Sequence, residues 1–250
     1  IPRKNRKLKF KVRENLNCKI IYFDDFLEVS TYGNTKFINF HKSKTHFLLI
    51  DGYCFFNKQL LDSKDVSFYY EKYKFDFIDK CKGSFNLILY EIRSKRLSVK
   101  TDRFGSRLLF FSNQKKSFHI ASRLMDVIKS KATKPEISNL AQQEYFFFKF
   151  FIQNSKTLFK NCSIFPTNKA VSIKKTIVKW DEFEMPFFRF HKIRTNNTKL
   201  FESEWVEAFD SLLKLFKNER LAIPLSAGLD SRAIIAEFSR RGLQDKVIAI

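Results

Sequence analysis

At 250 residues, with a hydrophobic fraction of 44% and only 6 Gly and 5 Pro, the chain has the length and composition of one large or two modest globular domains, which excludes a low-complexity disordered segment. A net charge of +21 raises nucleic acid as a partner, yet the basic residues are spread along the chain, apart from Arg3-Lys4-Asn5-Arg6-Lys7-Leu8-Lys9, whereas a nucleic-acid footprint is clustered. The four cysteines show no metal-binding spacing, no apolar run approaches the ~18 residues of a membrane helix and no signal peptide opens the chain, so a reduced cytoplasmic protein without a membrane partner is expected.

Residues 1 to about 120 read as β-rich. Phe47-Leu48-Leu49-Ile50 is a short apolar run closed by Asp51-Gly52, a turn signal. Leu60 to Tyr73 is a candidate helix, and Phe85-Asn86-Leu87-Ile88-Leu89-Tyr90 a second apolar run. Arg96 to Thr101 alternates polar with apolar and is followed by Asp102-Arg103-Phe104-Gly105 and Leu108-Leu109-Phe110-Phe111, which predicts strand, turn and strand at hairpin spacing. Phe118 to Ala121 predicts another strand and Ser122 to Lys129 a short helix. Ser138 can cap a helix running to Phe151, with Leu140, Tyr145, Phe148 and Phe151 near one face. Ala170 to Ile173 and Thr176 to Val178 read as strands.

From about 181 to 198 the period is lost, as in a linker. An amphipathic helix is predicted from about Phe201 to Lys217, where Trp205, Phe209, Leu212, Leu213 and Phe216 recur at steps of three and four. Leu221 to Leu225 follows as a strand, Ser226 to Asp230 as a loop, Arg232 to Arg241 as a helix ending at Gly242, and Lys246 to Ile250 as a strand, a βαβ unit in all. Because the chain stops at Ile250 inside that last apolar run, it is expected to belong to a longer protein.

The loop Ser226-Ala227-Gly228-Leu229-Asp230-Ser231 carries the strongest chemistry. Small residues between a strand and a helix let main-chain N–H groups converge, and the helix start adds partial positive charge; together they suit a phosphate. The hydroxyls of Ser226 and Ser231 can add hydrogen bonds, and Arg232 suits a partner anion. The loop has neither the Lys of a Walker loop nor the GxGxxG of a dinucleotide fold.

Pro224 to Arg232 resembles the Ser-Gly-Gly-x-Asp-Ser loop of N-type ATP pyrophosphatases, and within them the asparagine synthetase family, with Ala227 at the first Gly. Upstream, Leu49-Ile50-Asp51-Gly52-Tyr53 is similar to that family's Asn-Gly-Glu glutamine-pocket strand, Lys82 to Glu91 to its Asp-Gly-x-Phe-Ala strand, and Thr101 to Phe111 to its Arg-Asp-Arg-x-Gly strand pair. Thr157-Leu158-Phe159-Lys160 followed by Phe165-Pro166 resembles the connector to the synthetase domain. The resemblance implies an α+β αββα sandwich of the N-terminal-nucleophile type over residues 1–190 and the start of an α/β Rossmann-like adenine-nucleotide domain over 191–250. It implies ATP and Mg²⁺ as cofactors, Leu225, Ser226, Ala227, Gly228, Leu229, Asp230, Ser231 and Ile250 at ATP, Leu225 and Ile250 on its adenosine moiety, and Asp230 as the residue nearest Mg²⁺. Aspartate or an analogue and ammonia or an amine would be the partners in amide formation, and a homodimer is compatible.

Three departures bear on glutamine hydrolysis. The family's nucleophile is an N-terminal Cys activated by its own amine, whereas Cys18 is internal. Asp51 stands for the pocket Asn, and Lys82 for the Asp that holds the glutamine ammonium. A vestigial pocket of Asp51, Gly52 and Lys82 is therefore expected. Alternatives are a tRNA-modifying pyrophosphatase of the same superfamily and a non-catalytic scaffold with relic domains.

Overall fold

A computed structural model describes residues 19–32, 36–74, 77–114, 117–129, 135–152, 155–167, 170–174, 177–180 and 198–250. The basic run Arg3 to Lys9, Cys18 and the expected linker over 181–197 lie outside the described residues. The chain divides into two compact units, Ile1–Phe187 and Phe188–Ile250.

In the first unit, β1 (Lys19–Phe23) and β2 (Glu28–Thr31) pair as an antiparallel ribbon. β3 (Ile38–Lys42), β4 (His46–Phe56) and β5 (Gln59–Leu61) follow, then α1 (Ser63–Tyr73), β6 (Lys82–Glu91) and β7 (Arg96–Thr101). β8 (Phe110–Gln114), β9 (Ser117–Ala121), α2 (Leu124–Ile128), α3 (Asn139–Phe148), β10 (Ser163–Ile164), β11 (Ala170–Lys174) and β12 (Ile177–Trp180) complete it. Seven strands form one antiparallel sheet in the order β12-β11-β7-β6-β4-β3, with β5 also on β4, and β10-β8-β9 form a second.

Period-two side chains split β4 and β6 between two cores. Phe47, Leu49 and Tyr90 enter one, with Leu97, Val99, Val171 and Ile173, and it is closed by Tyr22, Leu27, Phe118 and Ile120 of the smaller sheets. Leu48, Ile50, Leu87 and Leu89 enter the other, closed by Val66 and Tyr70 of α1 and by Phe77 and Ile78. Both faces being buried explains the uninterrupted apolar runs, and each such side chain contributes about 1.5–3 kcal/mol on burial. Val127 and Ile128 of α2 pack with Cys162 against Phe110 and Ala121, on the outer face of the smaller sheet. The layers run helix, sheet, sheet, helix, a mixed α/β arrangement with antiparallel sheets that is compatible with the expected sandwich.

Asp24 ties the ribbon to the large sheet: its carboxylate accepts from the amides of Phe26 (2.7 Å) and Leu27 (2.8 Å), from Tyr90 Oη (2.9 Å) and from Lys95 Nζ (3.2 Å). Burial pushes that carboxyl up, but these donors outweigh it and hold it below the usual range.

Three expectations are corrected. β7 and β8 are not a hairpin, because they belong to different sheets and the segment between them carries the chain across. Leu60 and Leu61 belong to β5, and α1 starts only after Asp62, whose carboxylate accepts from the amides of Lys64 and Asp65 while Asp65 caps in return. Ser138 does cap α3, accepting from Ala141 N, but the face turned inward is Ala141 and Glu144, the latter held by Lys156 Nζ at 2.8 Å; Leu140, Tyr145 and Phe148 are exposed.

In the second unit, α4 (Thr198–Leu215) and α5 (Leu229–Arg240) flank β13 (Leu221–Ile223), which pairs in parallel with β14 (Val247–Ala249). Phe209 of α4 meets Phe238 of α5 with ring centroids 5.5 Å apart, and Arg241 reaches Asp210 at 2.6 Å and Glu237 at 2.5 Å. Gly242 follows α5 with φ +66°, the left-handed helix stop its position predicts. Among the described residues no helix is long and apolar enough to cross a membrane.

Candidate functional site

In the first unit, the register of β4 on β6 sets Asp51 opposite Asn86, and β7 sets Thr101 beside Asn86. These side chains fall on the face of the inner core. Arg107 donates to Asp51 Oδ1 from Nε (3.1 Å) and Nη2 (2.6 Å), and Asn86 Nδ2 donates to Oδ2 (3.3 Å). A carboxylate is an acceptor only. Where the resembled pocket has an amide able to donate, this one has a charged acceptor already engaged.

Gly52, next in line, has φ +119°; a Cβ there would stand 2.1 Å from Ser84 O and 2.7 Å from Arg107 Cδ. Only glycine accepts that backbone and that approach. Lys82 pairs with Phe55 and is exposed at the start of β6, and it does not line the cavity that Asp51 lines. Asp51 and Gly52 are thus brought together with Arg107 and Asn86, while Lys82 stands apart from them.

Arg107 is delivered by the turn after β7. Asp102, 2% exposed, accepts from Phe104 N (2.9 Å), Ser106 N (3.1 Å), Ser106 Oγ (2.7 Å) and Phe85 N (3.3 Å). Asp102 therefore acts as a local template for the crossing segment. Arg107 and Asn86 were absent from the sequence-derived site; the signal for Arg107 was Asp51 itself, since an acid placed in a buried strand demands a cation.

In the second unit, residues 226–228 are an exposed loop and α5 begins at Leu229, three residues earlier than predicted, because Gly228 in extended geometry already serves as N-cap. Asp230 and Ser231 consequently lie in the first helical turn, where N–H groups have no intrahelical acceptor. Gly228 offers no capping side chain. Ser226 Oγ lies 3.1 Å from Ser231 Oγ and accepts from Gly228 N at 3.2 Å. Arg232 folds back, donating to Gly228 O (3.2 Å) and Ala227 O (3.1 Å). Leu225 N donates to Ile250 O (2.8 Å), which sets these two exposed residues side by side at the strand ends. Asp230 faces the groove between α4 and α5 with Phe201 and Trp205.

Among the described residues no group of three or more His, Cys, Asp or Glu side chains is placed to hold a metal. Cys54 and Cys162 are buried and Cys81 half-buried, all as free thiols. Hydrogen bonding with Cys81, then burial, pushes the Cys54 thiol far up, and burial raises Cys162, so neither is a poised nucleophile.

No curated protein matches the chain. Residues 40–184, more than half of it and the stretch containing Asp51, Gly52, Asn86 and Arg107, match the family model of the glutamine amidotransferase domain, and the chain belongs to that family.

Proposed function

We propose that this chain serves an ATP-dependent, amide-forming ligase of the asparagine synthase type, with a Rossmann-like nucleotide domain beginning in its second unit. A carboxylate oxygen attacks the α-phosphorus of ATP, releasing pyrophosphate and leaving an acyl-adenylate. Ammonia or an amine then attacks the acyl carbon and AMP departs. The observation that carries the reading is the segment of residues 226–231, an exposed loop running into the first turn of α5 without a side-chain cap, between parallel strands. First-turn amides and the two seryl hydroxyls would hold the pyrophosphate, and Leu225 and Ile250 the adenosine. Asp230 is a single carboxylate, which suits Mg²⁺ completed by phosphate oxygens and water rather than an all-protein cage.

The glutaminase half is proposed not to hydrolyse glutamine. Support comes from the Asp51–Arg107 pair in the pocket strand and from the unreactive environments of Cys54 and Cys162. Free thiols at the described cysteines favour a reduced cytoplasmic setting.

Exchange of radiolabelled pyrophosphate into ATP by the full-length protein, across a panel of carboxylates with aspartate first, tests the reading. Carboxylate-dependent exchange that is lost in Asp230→Ala is expected. The absence of both exchange and ATP binding would remove it. The net charge of +21 gives one ground for a tRNA-modifying alternative, which a salt-steep RNA gel shift would favour.

A further inference from the structure

Between the two sheets of the first unit lies a cavity of about 300 Å³, in the size range of small-molecule pockets. Leu27 and Val29 of the ribbon, Leu49 and Ile88 of the large sheet, and Leu109 and Ile120 give it mainly apolar walls. Polar groups gather where Asp51, Asn86 and Arg107 meet.

Asn86 is fully buried, and its bond to Asp51 fixes the orientation of the amide, because a flipped amide would set oxygen against carboxylate. Asn86 Oδ1 is therefore an acceptor. Among the described residues it has no hydrogen-bond partner. Thr101, its cross-strand neighbour, cannot serve, since its hydroxyl is given to Pro166 O at 3.2 Å. The charge of Asp51 is met by Arg107, so a further anion at this end would find no uncompensated cation, and what is left over is the acceptor of Asn86. At the rim, Tyr32 is already bonded to Asp126, with Arg123 over its ring at 5.5 Å.

We propose that this cavity binds a small neutral molecule with an N–H donor head and a compact apolar body, of the class of short aliphatic or aromatic primary amides. The head goes to Asn86 Oδ1, which is buried in the wall and comes within reach by a small rotation about the broad terminal torsion of Asn. The body lies along Leu49 and Ile88. A carboxylate head would meet the oxygens of Asp51 and Asn86. Glutamine would set its ammonium and carboxylate against apolar walls. The proposal concerns the first unit alone and stands or falls independently of adenylation in the second.

Calorimetric titration of the chain with hexanamide and benzamide tests it, with hexanoate, benzoate and L-glutamine as controls. One amide is expected to bind saturably at one site, about tenfold or more tighter than its carboxylate. Asn86→Leu should weaken it about tenfold, and Val29→Phe, which narrows the cavity from the half-buried ribbon, should abolish binding with Asn86 intact. Circular dichroism verifies folding, and if Asn86→Leu does not fold, Val29→Phe decides. No saturable amide binding, equal affinity for the carboxylates, a preference for glutamine, or unchanged binding by folded Val29→Phe each overturns the proposal.

Discussion

Replacing Asp102 by Asn tests whether one carboxylate templates the crossing between sheets. The side chain is 2% exposed and accepts from Phe104 N at 2.9 Å, Ser106 N at 3.1 Å, Ser106 Oγ at 2.7 Å and Phe85 N at 3.3 Å. Asn is nearly the same size but has one carbonyl, and its NH₂ would confront an N–H with another donor. With the NH₂ at the Oδ1 position the bond from Phe104 N is lost, and at the Oδ2 position those from Ser106 N and Phe85 N. A bond to a charged acceptor contributes about 1.5–3 kcal/mol, and the bonds that remain are weakened once the charge is gone, so a loss of about 2–3 kcal/mol is expected. With a urea dependence of ~1–3 kcal/mol per M, the unfolding midpoint should fall by about 1–3 M. Hydrogen exchange at the amides of Phe104 and Ser106 should rise in parallel, which separates this cause from general loosening. A loss below about 1 kcal/mol, or unchanged protection at those amides, would show that packing and not the carboxylate holds the crossing.

Gly52→Ala combines a φ of +119° with a Cβ 2.1 Å from Ser84 O, so a loss above about 3 kcal/mol is expected, read as a large fall in Tm or failure to recover folded protein. Removing the cap of α3 with Ser138→Ala should cost about 1 kcal/mol in urea unfolding. A double-mutant cycle of Asp51→Asn and Arg107→Met should show a coupling of about 1–2 kcal/mol, discounted for the partly exposed guanidinium; additivity would mean the pair contributes nothing. Burial holds Lys100 down to about 8 against its ordinary 10.5, so the native state releases that proton first and the unfolded chain binds more protons between those values. Stability relative to Lys100→Met should therefore rise as pH rises through that window, and melts from pH 7 to 11 compared between the two proteins check the sign.

Where one physical cause acts locally, the sequence announced it. Phe47 to Ile50 and Phe85 to Tyr90 read as strands because both faces of β4 and β6 are buried, and Ser138 read as a cap because its hydroxyl meets an amide only three residues on. Strand spacing, however, does not say which sheet a strand joins. Arg96–Thr101 and Phe110–Gln114 sit at hairpin distance, yet Asp102 gathers the amides between them into a crossing. The phase of α3 was missed for a related reason. Its apolar residues outnumber its polar ones, but Lys156, twelve residues from Glu144, neutralises that carboxylate and turns its face inward.

The pocket shows the same limit at longer range. Read alone, Asp51 in place of a pocket Asn looks like decay. In the fold it is half of a pair whose other half stands 56 residues away. An unpaired carboxylate among β4, β6 and β7 would carry several kcal/mol of desolvation, so the acid has to be understood together with Arg107. The pair also reorganises its neighbour, since Asp51 takes the donor of Asn86 and leaves the acceptor over. Replacing Asp51 by Asn would therefore disturb more than one residue. It would leave Arg107 without its carboxylate and free the Asn86 amide to turn, exchanging one unmet polar group for two. The polar end of this cavity is organised around a half-buried ion pair, and the proposed ligand answers the acceptor of Asn86 rather than either charge.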